Sequence, residues 1–345
     1  MRLPRTSLIV TADDSTGATE AAAACADAGL AVDVVPFGVS SGAAACVVID
    51  LRSRHVEPEE ARRRVFAVTA HAHRVHKIDS TLRGNWSAEL AALVDAGRRI
   101  VLIPSHPMAG RVCAGGVVYV NGVPVAESEL GNDPRLPVRS SRPSEALPGA
   151  ELAGRRSLAE WLAQTRPGVA IVDAASLAEI DELVAIALVA DDVVVSGPAS
   201  VVRAVAGIWS PHGEASLPHP LLPKPIVVVC ASLHPISRTQ IDKVAAAGIE
   251  VVTSSQAREA NSEVVAAEVA ERAHLVVASS GARSVMLIGG DTAEAFIGDN
   301  VVRVFGSIDV GVSLGDAEIG GTLLRIASKP GGFGTPNTLV DLVTR

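Results

Sequence analysis

The sequence predicts an α/β protein of two domains, each with a mainly parallel sheet flanked by helices. Three observations carry this. Short Val/Ile-rich runs alternate with Ala-rich segments of helical length along the chain. The runs are continuously apolar, as strands covered on both faces are. The 345 residues, 48% of them apolar, amount to about two domains at roughly 150 residues each.

Taken in order, strand Ser7–Ala12 precedes an Ala-rich helix over Ala18–Ala28. Strands Ala31–Pro36 and Cys46–Leu51 follow, then a helix over Pro58–Ala70 and a strand at Arg74–Ile78. Helix Ser87–Asp95 leads into strand Arg99–Ile103. Strand Val169–Val172, helix Leu177–Ala190 and strand Asp192–Ser196 complete the first part. The second part reads as strand Ile226–Cys230, helix Ser237–Ala247, strand Glu250–Thr253, helix Ser262–Ala278 and strand Val285–Ile288. The linker is Ser216–Pro225, whose four prolines in ten residues cannot run through a helix or a central strand. It divides the chain into domains 1–220 and 221–345. Pro104–Pro148 is an irregular stretch in which Asn121-Gly122, between apolar runs, marks a hairpin turn.

Composition narrows the function. Disorder and fibrous repeats are excluded by the apolar fraction. Aromatics at 3% give no stacking platform for single-stranded nucleic acid, and a net charge of −8 gives no broad positive field for phosphate backbones. Cys25, Cys46, Cys113 and Cys230 form no metal-ligand spacing and read as reduced thiols of a cytosolic core. The apolar run at the N-terminus stops at Asp13, so no signal peptide fits, and no 18-residue apolar stretch escapes charge or punctuation. A soluble cytoplasmic protein that meets neither membrane nor nucleic acid is expected, and a homodimer is compatible with its Val/Ala-rich surface.

Polar residues collect at strand ends, where open α/β sheets bind ligands. Asp13 and Asp14 follow the first strand and precede a helix, placed to act as general base or to hold sugar hydroxyls. Helix capping by Ser15 or Thr16 is the purely structural alternative. A second end reads Lys77-Ile78-Asp79-Ser80-Thr81-Leu82-Arg83-Gly84-Asn85. The chain has 26 arginines and only four lysines, so Lys77 beside Arg83 suggests a carboxylate clamp, with a salt bridge to Asp79 as the plainer reading.

In the second part, Gly289-Gly290-Asp291-Thr292 stands where a strand turns into a helix and could cradle phosphate, Asp291 holding Mg²⁺ through water. Capping by Asp291 or Thr292 is the alternative there. Lys329-Pro330-Gly331-Gly332-Phe333-Gly334 is a second glycine loop, and Ser232 stands at another strand end, with Ser237 expected as an N-cap. No Walker A, no dinucleotide fingerprint and no nucleophile elbow occurs. His71, His73 and His76 fall on a helix end and a strand without metal-ligand spacing, and His106 lies at a strand end facing the cleft.

In combination these residues resemble the four-carbon acid sugar kinases. The resemblance rests on Asp13-Asp14-x-Thr16-Gly17, Lys77-x-Asp79-Ser80-Thr81-Leu82-Arg83-Gly84-Asn85 and Pro104-x-x-Pro107-x-x-Gly110-Arg111. It continues with Ser232, Arg238 and Gln240, then Gly289–Thr292, then Lys329-x-Gly331-Gly332-Phe333-Gly334. Ala231 stands where the family usually has glycine. The resemblance implies transfer of the γ-phosphoryl group of ATP, with Mg²⁺, to the terminal hydroxyl of a tetronate or 3-oxo-tetronate. It implies an active site in the interdomain cleft, with ATP at Ser232, Gly289, Gly290, Asp291, Thr292, Gly331 and Gly332. It implies the acid sugar at Asp13, Asp14, Lys77, Asp79 and Arg83, with Arg111 beside them; no residue is assigned to the metal. Two rival readings remain. A haloacid-dehalogenase-like phosphatase wants Asp-x-Asp, but Ala12 stands where the first Asp would be needed. A non-catalytic sugar-acid or nucleotide sensor would keep the pockets without turnover.

Overall fold

The computed structural model describes residues 8–40, 44–68, 73–133, 135–210, 213–219, 221–254 and 262–344. The chain begins β1 (Leu8–Ala12), α1 (Ser15–Asp27), β2 (Val32–Pro36), β3 (Cys46–Asp50), α2 (Pro58–Val68), β4 (His73–Lys77), α3 (Trp86–Asp95) and β5 (Arg99–Leu102). A small hairpin layer, β6 (Arg111–Ala114), β7 (Val117–Val120) and β8 (Val123–Pro124), interrupts the alternation. Then come α4 (Pro143–Ala146), β9 (Glu151–Ala153), α5 (Arg155–Ala163), β10 (Gly168–Val172), α6 (Leu177–Ala187), β11 (Val193–Gly197) and α7 (Ala199–Trp209). The remainder is β12 (Ile226–Cys230), α8 (Pro235–Ala246), β13 (Glu250–Thr253), α9 (Ser262–Ser280), β14 (Ser284–Ile288) and α10 (Gly290–Ile297). It ends with β15 (Val302–Asp309), β16 (Val312–Ile319), β17 (Thr322–Lys329) and α11 (Thr338–Thr344).

The fold class is the expected one, with two parallel blocks flanked by helices. The first block is β2-β3-β1-β4-β11-β5-β10-β9 and the second is β13-β12-β14-β17. The blocks are not separate sheets. β15, β16 and β17 form an antiparallel meander, and β15 pairs antiparallel with β2 through Val302↔Val34, Arg303↔Asp33 and Val304↔Val32. One fourteen-stranded sheet results. The apolar runs of the sequence predict no strand after Ile288. The meander escapes that reading because β15 alternates buried and more exposed residues, and β16 and β17 carry Ser313, Asp316, Glu318, Arg325 and Ser328 among their apolar residues instead of running continuously apolar.

Strand alternation builds the core on both faces of the sheet. Leu8, Val10 and Ala12 of β1 join one apolar layer that also takes in Val227, Val229, Val285 and Val302, so this layer crosses both blocks under α1, α6, α7, α9 and α10. On the opposite face the core is divided, one part around α2 and α3 and the other around α8 and α11. The Asn121-Gly122 hairpin forms as expected, both residues at positive φ. Among the described residues no helix is long and apolar enough to cross a membrane.

With one core layer common to both blocks, urea unfolding followed by far-UV circular dichroism and tryptophan fluorescence is expected to give one coincident transition. Val302→Asp, which places a carboxylate at a 3% exposed junction position, is expected to lower stability by more than about 3 kcal/mol. Two resolved transitions in the unsubstituted protein would contradict the shared core.

Candidate active site

Each block places its polar residues where adjacent strands send their following helices to opposite faces, the crevice that open α/β sheets use for ligands. In the first block these strands are β1, followed by α1, and β4, followed by α3. In the second they are β12, followed by α8, and β14, followed by α10.

Asp14 is the N-cap of α1: its backbone is extended and its Oδ1 accepts from the Gly17 N–H at 2.9 Å. The cap is therefore Asp14, not Ser15 or Thr16. Asp13 is fully buried. Its charge is answered by Arg54, which the sequence reading did not single out. Arg54 Nε and Nη2 donate to Asp13 at 2.7 and 3.0 Å, while Nη1 and Nη2 donate to Asp14 at 2.5 and 2.7 Å. One guanidinium thus grips two carboxylates in bidentate fashion. Burial disfavours the Arg54 charge, yet Asp13, Asp14 and Asp79 outweigh it and hold its pKa well above the ordinary arginine value.

At the end of β4, Asp79 accepts from Arg83 Nε at 3.1 Å and Nη2 at 2.9 Å, and from the Thr81 amide at 3.1 Å and its hydroxyl. Leu82, at φ 63°, supplies the left-handed residue that closes this turn. Burial opposes ionisation of Asp79, but Arg83, then Arg54 and Lys77, hold its carboxyl well below the usual carboxylate range. Lys77 Nζ stands 3.9 Å from both Asp14 Oδ1 and Glu20 Oε2. A Cβ at Gly17 would fall 2.3 Å from that ammonium, so glycine is what lets Lys77 cross the start of α1. Further along the same edge, His106 Nε2 is 3.7 Å from Glu20 and its Nδ1 meets Ser200 Oγ at 2.5 Å. Burial, with Arg111 and Lys77 nearby, pushes His106 down to about 4 and leaves the imidazole neutral at physiological pH. Arg111 makes no ion pair among the described residues. Its guanidinium lies 5.8 Å from the Phe333 ring centroid, in the glycine loop of the other block.

In the second block Gly289 caps α10 at φ 98°, with no side-chain cap from Asp291 or Thr292. Thr292 Oγ1 instead accepts from the Ala231 N–H at 3.1 Å. Asp291 is ion-paired with Arg135 at 3.1 Å, an arginine from the irregular stretch of the first block. Ser232 packs between the two glycine loops: a Cβ at Gly331 would lie 2.7 Å from its Oγ, and one at Gly289 would lie 3.6 Å from its Cβ. Ser237 does not cap α8; His234 does, and Ser237 Oγ donates to the Gly331 carbonyl at 2.6 Å. Lys329 is fully buried, its Nζ donating to the carbonyls of Pro330 at 2.8 Å, Gly331 at 3.3 Å and Phe333 at 2.8 Å. It shapes the loop from beneath.

The two edges meet. A Cβ at Gly290 would lie 3.0 Å from Thr16 Oγ1 and 3.3 Å from Asp14 Oδ2. The aspartate turn, the Lys77–Arg83 turn, Arg111, Ser232 and both glycine loops therefore converge. Arg54, Glu20 and Arg135 join them without having been foreseen; 26 arginines gave Arg54 and Arg135 no distinguishing mark. His71 lies outside the described residues, and His73 and His76 sit on β4 beneath the site. Among the described residues no group of three or more His, Cys, Asp or Glu could hold a metal ion by itself.

Fold and site together define an α/β protein that sets a cluster of paired cations and carboxylates against a glycine turn at a helix N-terminus. Residues 8–205 match the sugar-binding N-terminal domain family, and the chain belongs to the four-carbon acid sugar kinase family that this domain characterises. A D-threonate kinase of Bordetella bronchiseptica is 27% identical over 96% of this chain and 95% of its own length. A D-threonate kinase of Salmonella typhimurium is 30% identical over 73% of this chain and 64% of its own length. A D-threonate kinase of Cupriavidus necator is 36% identical, but the match spans only 36% of this chain and 32% of the relative. A solved structure from Salmonella typhimurium shares the fold at a TM-score of 0.78 and 20% identity, covering 97% of this chain and 98% of that one.

Burial pushes Glu294 up to about 7 and Asp50 up to about 6, Asp14 adding repulsion to both. Both carboxyls hold a proton more tightly folded than unfolded, where the pKa is about 4. Their contribution is therefore most favourable below that value and declines as pH rises through 6 to 7. Glu294→Gln is expected to flatten the fall in Tm between pH 5 and 8. An unchanged slope in calorimetric scans would refute this.

Proposed function

We propose that this chain is an ATP-dependent kinase that phosphorylates the terminal hydroxyl of a four-carbon acid sugar, a tetronate or 3-oxo-tetronate. Residues 1–220 bind the acid and residues 221–345 the nucleotide. The observation that carries the reading is the approach of Asp14 to the Gly290 turn, which sets a carboxylate against the N-terminus of α10. A γ-phosphate held by the free N–H groups of that turn would face a hydroxyl held by Asp14.

Phosphoryl transfer asks a protein for alignment and charge neutralisation more than for covalent chemistry. Asp14 acts as base or hydroxyl anchor at the contact, and Asp13, buried and bound by Arg54, fixes the turn. Lys77, Asp79, Arg83 and Arg111 line the acid-sugar pocket. Arg111 takes the carboxylate, because Arg83 is already engaged by Asp79 whereas Arg111 lacks an ion-pair partner among the described residues. Ser232, Gly289, Gly290, Asp291, Thr292, Gly331 and Gly332 surround ATP. Asp291, about one-third exposed and ion-paired with Arg135, is the carboxylate that would meet a Mg²⁺ ion brought in on the phosphates; such an ion would supply charge neutralisation for phosphoryl transfer. Kinase names among the relatives support the class of reaction. Expected properties include a cytoplasmic location and a dimer, since a Bordetella bronchiseptica domain of the same fold was solved as a domain-swapped dimer with bound citrate.

Incubation with Mg·ATP and a panel of four-carbon acids is expected to release ADP only when an acid is present, with the new phosphate ester on the terminal carbon by ³¹P NMR. Phosphate release from sugar phosphates, or binding without turnover, would overturn the kinase assignment. Asp14→Asn is expected to lower kcat by about 10²-fold or more. Arg111→Met is expected to raise KM for the acid about tenfold and leave KM for ATP unchanged. Should Arg111→Met bind the acid normally, the carboxylate lies elsewhere.

A further inference from the structure

Beneath the pocket runs a chain of hydrogen bonds among fully buried polar side chains from three elements. Thr11 of β1, His73 and His76 of β4, Glu89 of α3 and Ser53 are all 0% exposed. Thr11 Oγ1 lies 2.7 Å from His73 Nε2 and 2.7 Å from His76 Nδ1. His76 Nε2 lies 3.1 Å from Glu89 Oε2, and Ser53 Oγ donates to Glu89 Oε1.

Two acceptors orient this chain, the Val75 carbonyl at one end and the Glu89 carboxylate at the other. His73 Nε2 stands 2.7 Å from the Val75 oxygen, which can only accept, so Nε2 carries the hydrogen. That N–H also faces Thr11 Oγ1, whose single proton has two acceptors, His76 Nδ1 at 2.7 Å and the Val75 carbonyl at 3.5 Å, the closer being His76. His76 then carries its hydrogen on Nε2 and donates to Glu89. Burial pushes His73 down to about 3, in keeping with a neutral ring. The chain ends on a carboxylate that receives His76 from one side and Ser53 from the other.

We propose that Glu89 is a positioning residue that sets the loop carrying Arg54 against Asp13. The Ser53 and Arg54 amides both donate to the Asp13 carbonyl, at 2.9 and 3.1 Å, so Ser53 is the hinge between Glu89 and the Arg54 grip on the two aspartates. Asn85, one turn before Glu89, holds the same loop through the Ser53 and Val56 carbonyls at 2.7 and 2.8 Å. A buried carboxylate is costly unless its charge is fully hydrogen-bonded. Here both its oxygens are engaged, one of them with the substrate-facing loop. In the kinetic sense the proposal rests on the kinase reading above.

Glu89→Gln is a directed test. With His76 donating through Nε2, the glutamine turns its oxygen to His76 and its NH₂ to Ser53. The bond that reverses is the one at the Arg54 loop. In this variant KM for the acid sugar is expected to rise about tenfold, with KM for ATP within twofold of the parent and Tm little changed. Ser53→Ala, which removes only the hydroxyl link, is expected to act in the same direction and guards against misfolding of the first variant. A second readout needs no turnover. Amide exchange in peptides spanning residues 51–56, followed by mass spectrometry, is expected to quicken at least tenfold in Glu89→Gln while peptides of β12 and β14 stay unchanged. If neither variant alters exchange in 51–56, or if both KM values move together in the same proportion, Glu89 does not position the loop. A parent protein that turns over no four-carbon acid overturns the kinase reading alone, and the exchange experiment still decides the role of Glu89.

Discussion

The site depends on how the two parallel blocks of the single sheet are joined, with strand direction reversed between them. Between β2 and β14 lie three antiparallel steps, β2 to β15, β15 to β16 and β16 to β17, followed by one parallel step. An odd number of reversals leaves the second parallel block pointing against the first, and its carboxyl ends approach Asp14 and Thr16. With two steps or four, both blocks would present their carboxyl ends in the same direction. The junction is short, only three residue pairs, but α1 covers it. Asp27 at the end of that helix accepts from the Ser307 amide at 2.8 Å and hydroxyl at 2.6 Å on β15.

Electrostatics at the meeting point follows from enclosure. Asp13, Asp79 and Lys77 are nearly or fully buried, so no charge there can be left to water. Arg54 answers the aspartates of β1, Arg83 answers Asp79, and Lys77 lies between Asp14 and Glu20. The result is a balanced lattice in which each cation is held in place by its anions, and such preorganisation saves reorientation when a charged ligand enters. Arg111 stands outside the lattice, on the aromatic ring of the opposite block.

Much of this was legible in the amino-acid order. Parallel strands buried on both faces announce themselves as unbroken Val/Ile runs, and ligand residues collect at their ends, so β1, β4, β12 and β14 and their polar tips could be read directly. The meander could not, because Val302–Asp309 alternates inward and outward positions and carries a glycine at its centre. Arg54 was hidden for a different reason. Its meaning comes from two aspartates forty residues earlier in the chain, and arginine is too common here to stand out. Glu89 and His76 likewise gain significance only when α3 lies on β4. Capping misled locally. Ser237 has the right chemistry for an N-cap, yet His234 takes that place and leaves the serine to the glycine loop.

The three carbonyls gathered on Lys329 surround its ammonium much as oxygen donors surround a potassium ion. The loop from Pro330 to Phe333 therefore carries its own tethered counter-ion, delivered by the preceding strand. Its shape is thus set by a cation that the chain itself supplies.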